Sequence, residues 1–251
     1  AIGAGGTSSF STLATDADII LSTTTNALVG TVSLSTTGTT ANATIDNGTT
    51  VLDFGTVTVG GNLDAQSDDN IKDTGIIMVT GTARFAADST ANKTIFLGSQ
   101  NVITGAVTLL TSGTGGDVIF DNGSTDLSLG TITVGGDLTL ETDATAAQAL
   151  SSITINGALS INVGGALTMA NATIFDAGSG TISVTSNGDM TLGQLTTTNA
   201  TTAAVTLTTN GGNVLDGGDA NEDITAASGT VVVSTGGGTF GTTADAIEIT
   251  S

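Results

Sequence analysis

The sequence predicts an all-β fold, a right-handed parallel β-helix (β-solenoid) of about ten turns that runs through residues 1–251 as one continuous segment. Three observations predict it. Apolar residues alternate with a period of two, the alternating phrases recur at the length of one solenoid turn, and proline is absent altogether. Proline supplies no N–H to a ladder and breaks central strands, so its absence is what a chain needs when almost every residue is bonded on both sides.

The alternation is clearest from Ile153 onward. Ile153, Ile155, Leu159, Ile161, Val163, Leu167 and Met169 keep one parity and should face one interior. Ile132, Val134, Leu138 and Leu140 repeat the arrangement, as do Ile182, Val184, Met190 and Leu192. The expected core therefore includes Ile132, Val134, Leu138, Ile161, Val163 and Leu167, with Thr131, Thr133 and Thr139 facing outward. The 52 threonines favour the pleated backbone, and the 36 glycines supply turns. A chain so rich in Gly, Thr and Ser also invites a disordered reading, but its 38% hydrophobic content is placed in alternation, which disorder does not require.

Internal repetition dominates the sequence. Residues 26–63 align without a gap on residues 101–138, an offset of 101 − 26 = 75. The correspondence includes Asp46-Asn47-Gly48 with Asp121-Asn122-Gly123, and 55–61 with 130–136. A finer unit consists of a small or β-branched residue, one or two glycines, then alternating apolar residues. It starts near Ala4, Leu28, Val59, Val79, Ile103, Val134, Val163, Ser186, Thr209 and Thr235, and each interval between starts is read as one turn. Such a turn cannot bury its apolar face alone, so stability must come from stacking.

Composition narrows the function. With 23 acidic residues against Lys72, Arg84 and Lys93, the net charge is −20, which makes nucleic acid and anionic membranes poor partners. No apolar run is long enough to span a bilayer, and residues 1–10 do not form a signal peptide, so a targeting segment has been removed or the residues come from within a longer chain. The absence of cysteine suits export through an oxidising compartment.

The phrases Gly130-Thr-Ile-Thr-Val-Gly-Gly-Asp-Leu-Thr-Leu140, Val79-Thr-Gly-Thr-Ala-Arg-Phe85 and Asn187-Gly-Asp-Met-Thr-Leu-Gly-Gln-Leu195 resemble the repeats of filamentous haemagglutinin-like proteins, the giant secreted adhesins of Gram-negative bacteria. Residues 211–249 also look like a recurrent phrase of those repeats. The resemblance implies a non-catalytic β-helical shaft, extracellular or on the outer cell surface. Its partners would be further repeats or copies of itself stacked end to end, and surface glycans of a host or neighbouring cell.

The alternative is a β-helical carbohydrate-active enzyme, a polysaccharide lyase or glycosidase. A lyase would draw its base and its carboxylate-neutralising cation from Lys72, Arg84 and Lys93, which a shaft would instead use in surface ion pairs. A glycosidase needs two opposed carboxylates, and 23 acids supply close pairs by chance, without Trp or Tyr to stack a sugar. The expectation is no catalytic residues, no cofactor and no metal site.

Two acidic stretches offer oxygen donors to calcium: Asp68, Asp69 and Asn70, and Asp216, Asp219, Glu222 and Asp223. Neither spacing reproduces a known calcium loop, and ordinary turn chemistry is the expectation. The Thr-x-Thr phrases at Thr56 and Thr58, Thr131 and Thr133, and Thr206 and Thr208 would form an ice-binding array only if they stacked on successive turns, whereas they recur at the offset of the long duplication.

Overall fold

A computed structural model describes residues 1–218, 220–243 and 246–251. It divides into two compact units, 1–136 and 137–251. Each is a parallel β-solenoid, and among the described residues there are strands and turns but no helix.

In the first unit the chain winds round three sides. The second side is the most regular: Ile19–Leu21, Ala43–Asp46, Leu63–Gln66, Ala83–Ala87, Val107–Thr111 and Leu129–Thr133 pair in that order. One inward rank runs Leu21, Ile45, Ala65, Phe85, Leu109 and Ile132, each side chain supplied by the next turn of the chain. The first side carries Ser8–Ser11, Val32–Ser35, Ile77–Val79 and Val102–Ile103, and the third carries Ala27–Leu28, Ile71–Asp73, Ile95–Leu97 and Val118–Asp121. The long strand Leu52–Val59 turns the corner between these two, so Leu52 pairs with Ile71 while Val57 pairs with Ile77.

Burial follows the parity. Ile45, Ala65, Phe85 and Leu109 are all fully buried, and Phe85 stacks over the small Ala65. Phe54, arriving from another side, meets Phe85 edge to face at 6.3 Å and 79°. Ile132 departs from expectation. It is half-buried, because its strand ends the six-stranded sheet and because the register of that strand slips between the Val107 and Leu109 rungs.

The second unit is built the same way. Leu138–Thr142, Leu159–Val163, Ile182–Ser186, Val205–Thr209 and Val231–Ser234 make one side, each strand one turn on from the last. Gln148–Ala149, Leu167–Thr168, Met190–Leu192 and Val214–Asp216 make the next. Ile153–Thr154, Ile174–Asp176, Gln194–Thr196, Ile224–Thr225 and Ile249–Thr250 make the third. The whole alternating set from Ile153 to Met169 is buried, as are Val134, Leu138, Ile161, Val163 and Leu167, while Thr131 and Thr133 are exposed and Thr139 is half-exposed.

The repeat starts require one correction. Ala4 pairs with Leu28, Val59 with Val79, Val79 with Ile103, Val163 with Ser186 and Ser186 with Thr209, so these spacings are true turns. The longest steps, Leu28 to Val59 and Ile103 to Val134, are not. Each advances one turn plus one side, which is why the ten starts correspond to about eleven turns. The long duplication behaves likewise. Val32–Ser35 on the first side is copied into Val107–Thr111 on the second, and Ala43–Asp46 on the second into Val118–Asp121 on the third. The copy is rotated by one side because every side is the same physical object, a short alternating strand between tight corners.

Those corners are held by buried asparagines. Asn47 accepts the Leu28 N–H at 2.9 Å through Oδ1, and its Nδ2 donates to the carbonyls of Leu28, Thr50 and Val51 at 3.1, 3.2 and 2.9 Å. Asn122 repeats this on Ile103, Thr125 and Asp126. Asn26 and Asn101 accept the N–H of Ile2 and Ile77, each at 2.8 Å. All four are buried, and each carboxamide stands in for a peptide group where the corner interrupts the ladder. The glycine after two of them is obligatory in a different sense: Gly48 and Gly123 sit at φ +54° and +53°, in the left-handed region.

Candidate metal centre

The three basic side chains are each engaged with an aspartate one turn away. Lys72 Nζ lies 3.0 Å from Asp53, Arg84 donates to Asp64 at 2.8 Å, and Lys93 donates to Asp69 at 2.9 Å. Asp53 and Lys72, and Asp64 and Arg84, are direct ladder partners, the cross-strand placement in which opposite charges attract. Arg84 borders a broad, open groove with Asp18, Asn42, Asn62 and Asp64.

Asp68, Asp69 and Asn70 are consumed by turn-to-turn bonding. Asp68 accepts the Ser89 hydroxyl, Asn70 Oδ1 accepts the Thr94 N–H at 2.9 Å, and Asp69 takes the Asn70 N–H at 2.8 Å together with Lys93. The Lys93 ammonium, helped by the Asn70 N–H, holds the Asp69 carboxyl below the usual carboxylate range against a smaller cost of burial. The threonine phrases do not stack into an array: across the first side Thr58 has Ser35 and Met78 as neighbours, and Met78 is followed by Val102. Thr131 and Thr133 are exposed on an edge strand, and Thr206 and Thr208 are half-exposed beside Ser183, Val232, Thr185 and Ser234.

The other acidic stretch is different. Asp216 ends the strand Val214–Asp216, Asp223 precedes Ile224–Thr225, and Glu248 precedes Ile249–Thr250. Pairing of Ile224 with Ile249, closed by the Ile224 N–H on the Glu248 carbonyl at 3.0 Å, sets Glu248 beside Asp223. One carboxylate oxygen from each of Asp216, Asp223 and Glu248 lies within 4.8 Å of the other two. Asp223 is 3% exposed and Asp216 9%. Asp223 Oδ2 accepts the Glu248 N–H at 3.1 Å, and Asp216 Oδ1 accepts the Gly218 N–H at 3.0 Å. Asp216 Oδ2 and Glu248 Oε2 are buried with no donor.

The electrostatics follow from that geometry. Burial pushes the Asp223 carboxyl up to about 7; the Glu248 N–H pulls the other way, and repulsion from Asp216 and Glu248 adds to the rise. Glu222 stands apart, exposed, with the hydroxyls of Thr225 and Thr250 donating to it at 3.2 and 2.7 Å. Asp219, grouped with these acids in the sequence, lies outside the described residues. Sequence proximity thus brings together Asp216 and Asp223 but gives no sign of Glu248, which arrives by strand pairing from 25 positions beyond Asp223.

Residues 40–110 and 115–176, together more than half of the chain, match the family described as Repeats of unknown function (DUF5649). The chain belongs to that family. The two matched stretches begin at 40 and 115, the same offset of 75 that separates the duplicated segments. No curated protein and no solved structure is detectably similar to the chain.

Proposed function

We propose that the chain is a non-catalytic structural or adhesive shaft of the kind the filamentous haemagglutinin-like resemblance implies, working at an outer cell surface or in an extracellular fibre. The observation that carries the reading is the register. Within each unit, successive turns pair residue for residue through backbone hydrogen bonds, and the interior is filled by aliphatic side chains and phenylalanine, joined in the first unit by the corner asparagines. Load along such a ladder is shared by many parallel bonds, which suits a part whose task is to hold something at a distance. The same pairing gives a second copy a way to stack, and outward side chains a way to meet glycans. Against the carbohydrate-active enzyme stands the engagement of Lys72, Arg84 and Lys93 in ion pairs, which leaves each cation neutralised by an aspartate.

Two measurements test the proposal. Antibodies against the chain should label intact producing cells; label seen only after permeabilisation overturns the surface location. The purified chain should leave a library of acidic and neutral polysaccharides uncut. Turnover that disappears in Lys72→Ala, Arg84→Ala or Lys93→Ala would make it an enzyme.

A further inference from the structure

Buried carboxylates elsewhere in the protein show what a satisfied one looks like. Asp73, 7% exposed, accepts from the Gly98 N–H, the Ser99 N–H and hydroxyl, and Asn101 Nδ2. Asp46, Asp121 and Asp176 occupy the same turn position as Asp216, each taking the N–H of a glycine two residues on, and all three are only half-buried. Asp216 performs that turn bond with Oδ1 and differs in being buried, with Oδ2 left without a donor in the cluster that also holds the undonated Glu248 Oε2. The second unit contains no Lys, Arg or His at any position, so no side-chain cation of its own can neutralise three clustered carboxylates.

We propose that Asp216, Asp223 and Glu248 form a calcium site that clips the strand Ile249–Thr250 to the turn beneath it. Three carboxylates and no nitrogen or sulfur ligand select a hard cation. The ligand oxygens, within 4.8 Å of one another, are no further apart than two calcium–oxygen bonds of about 2.4 Å end to end. Calcium accepts irregular sets of six to eight oxygens, whereas magnesium demands a near-ideal octahedron at about 2.0–2.1 Å. The ion gives Asp216 Oδ2 and Glu248 Oε2 the positive partner they lack. It ties together three strands of the same unit, of which Ile249–Thr250 is joined to its neighbour by only two ladder positions.

The test uses the full chain, stripped with EDTA and titrated with calcium or magnesium chloride by calorimetry, with melting followed by circular dichroism. Calcium should bind saturably at one site, with Kd on the order of 10⁻⁴ to 10⁻³ M, and magnesium at least tenfold more weakly. At a hundredfold excess over Kd, calcium should raise the melting temperature by roughly 5 °C or more and slow hydrogen exchange of the Glu248 and Ala226 amides. Asp216→Asn and Glu248→Gln should each weaken calcium at least tenfold, yet raise the melting temperature in EDTA, because each removes a buried like charge. Glu222→Gln should bind as the parent does. An unsaturable response, equal effects of the two ions, or equal losses in Glu222→Gln and Asp216→Asn would reduce the effect to charge screening and overturn the site.

Discussion

Replacing Asn47 by alanine removes one small side chain and strands three main-chain groups. The Leu28 N–H loses its acceptor and the carbonyls of Leu28 and Val51 lose their donor, at a position with no solvent exposure, while the Thr50 carbonyl keeps the Ser67 hydroxyl at 2.9 Å. Leaving a buried backbone group unpaired costs about 1–3 kcal/mol. The three carbonyls share one NH2 group, and the space vacated holds one water that restores part of the bonding, so the loss is roughly 3–5 kcal/mol. That is a large fraction of the ~5–15 kcal/mol by which an ordinary domain is stable.

Asn47→Asp should do no better at neutral pH. It keeps an acceptor for Leu28 but turns a carboxylate toward three carbonyl oxygens. Asn122→Ala should match Asn47→Ala, since its bonds repeat the pattern, whereas Asn62→Ala, at an exposed position where Oδ1 accepts from Thr82, should cost under about 1 kcal/mol. Denaturant melts of the full chain give the totals, and native-state hydrogen exchange at the Leu28 amide shows whether the loss is local, as expected of stacked turns. If Asn47→Ala and Asn62→Ala cost the same, the buried carboxamide is not a structural rung and the reasoning fails.

Parity gives a second comparison: Val134→Asp, at a site 6% exposed, should destabilise by several kcal/mol, while Thr133→Asp on the outward face should do little, and equal thermal shifts would refute the assignment. In EDTA, the raised Asp223 carboxyl makes the folded chain hold a proton that the unfolded chain releases near 3.8, so stability should fall as pH rises from about 4 to about 7 and level off above; Asp223→Asn should flatten that slope, and an unchanged slope would sink the assignment. The proposed self-stacking is opposed by a net charge of −20 per copy, so sedimentation should show more association as salt rises; a monomer at every concentration and ionic strength would remove self-association from the proposal.

The period-two alternation, the absent proline and the glycine-marked repeat are local properties; they determined the solenoid and placed inward a part of its interior, of which Ile132 alone is not buried. Side-chain direction in a strand is set by the backbone itself, so Ile153 through Met169 could be assigned inward from the sequence alone. What the sequence could not determine was which sides stack. Equivalent sides carry equivalent phrases, so the step from Ile103 to Val134 looks like a turn, and only pairing distinguishes one turn from a turn plus a side. For the same reason Asn47 and Asn122, which stand out in the sequence only as part of the duplicated Asp-Asn-Gly phrase, are buried rungs that only the structure reveals: a corner asparagine looks alike in sequence whether its amide faces water or the Leu28 backbone. The acidic cluster is the strongest case. Asp216 and Asp223 are neighbours in the chain, but the burial that leaves Asp216 Oδ2 without a donor, and the arrival of Glu248, exist only once Ile224 has paired with Ile249, because desolvation and like-charge proximity are properties of the packed turns rather than of any one of them.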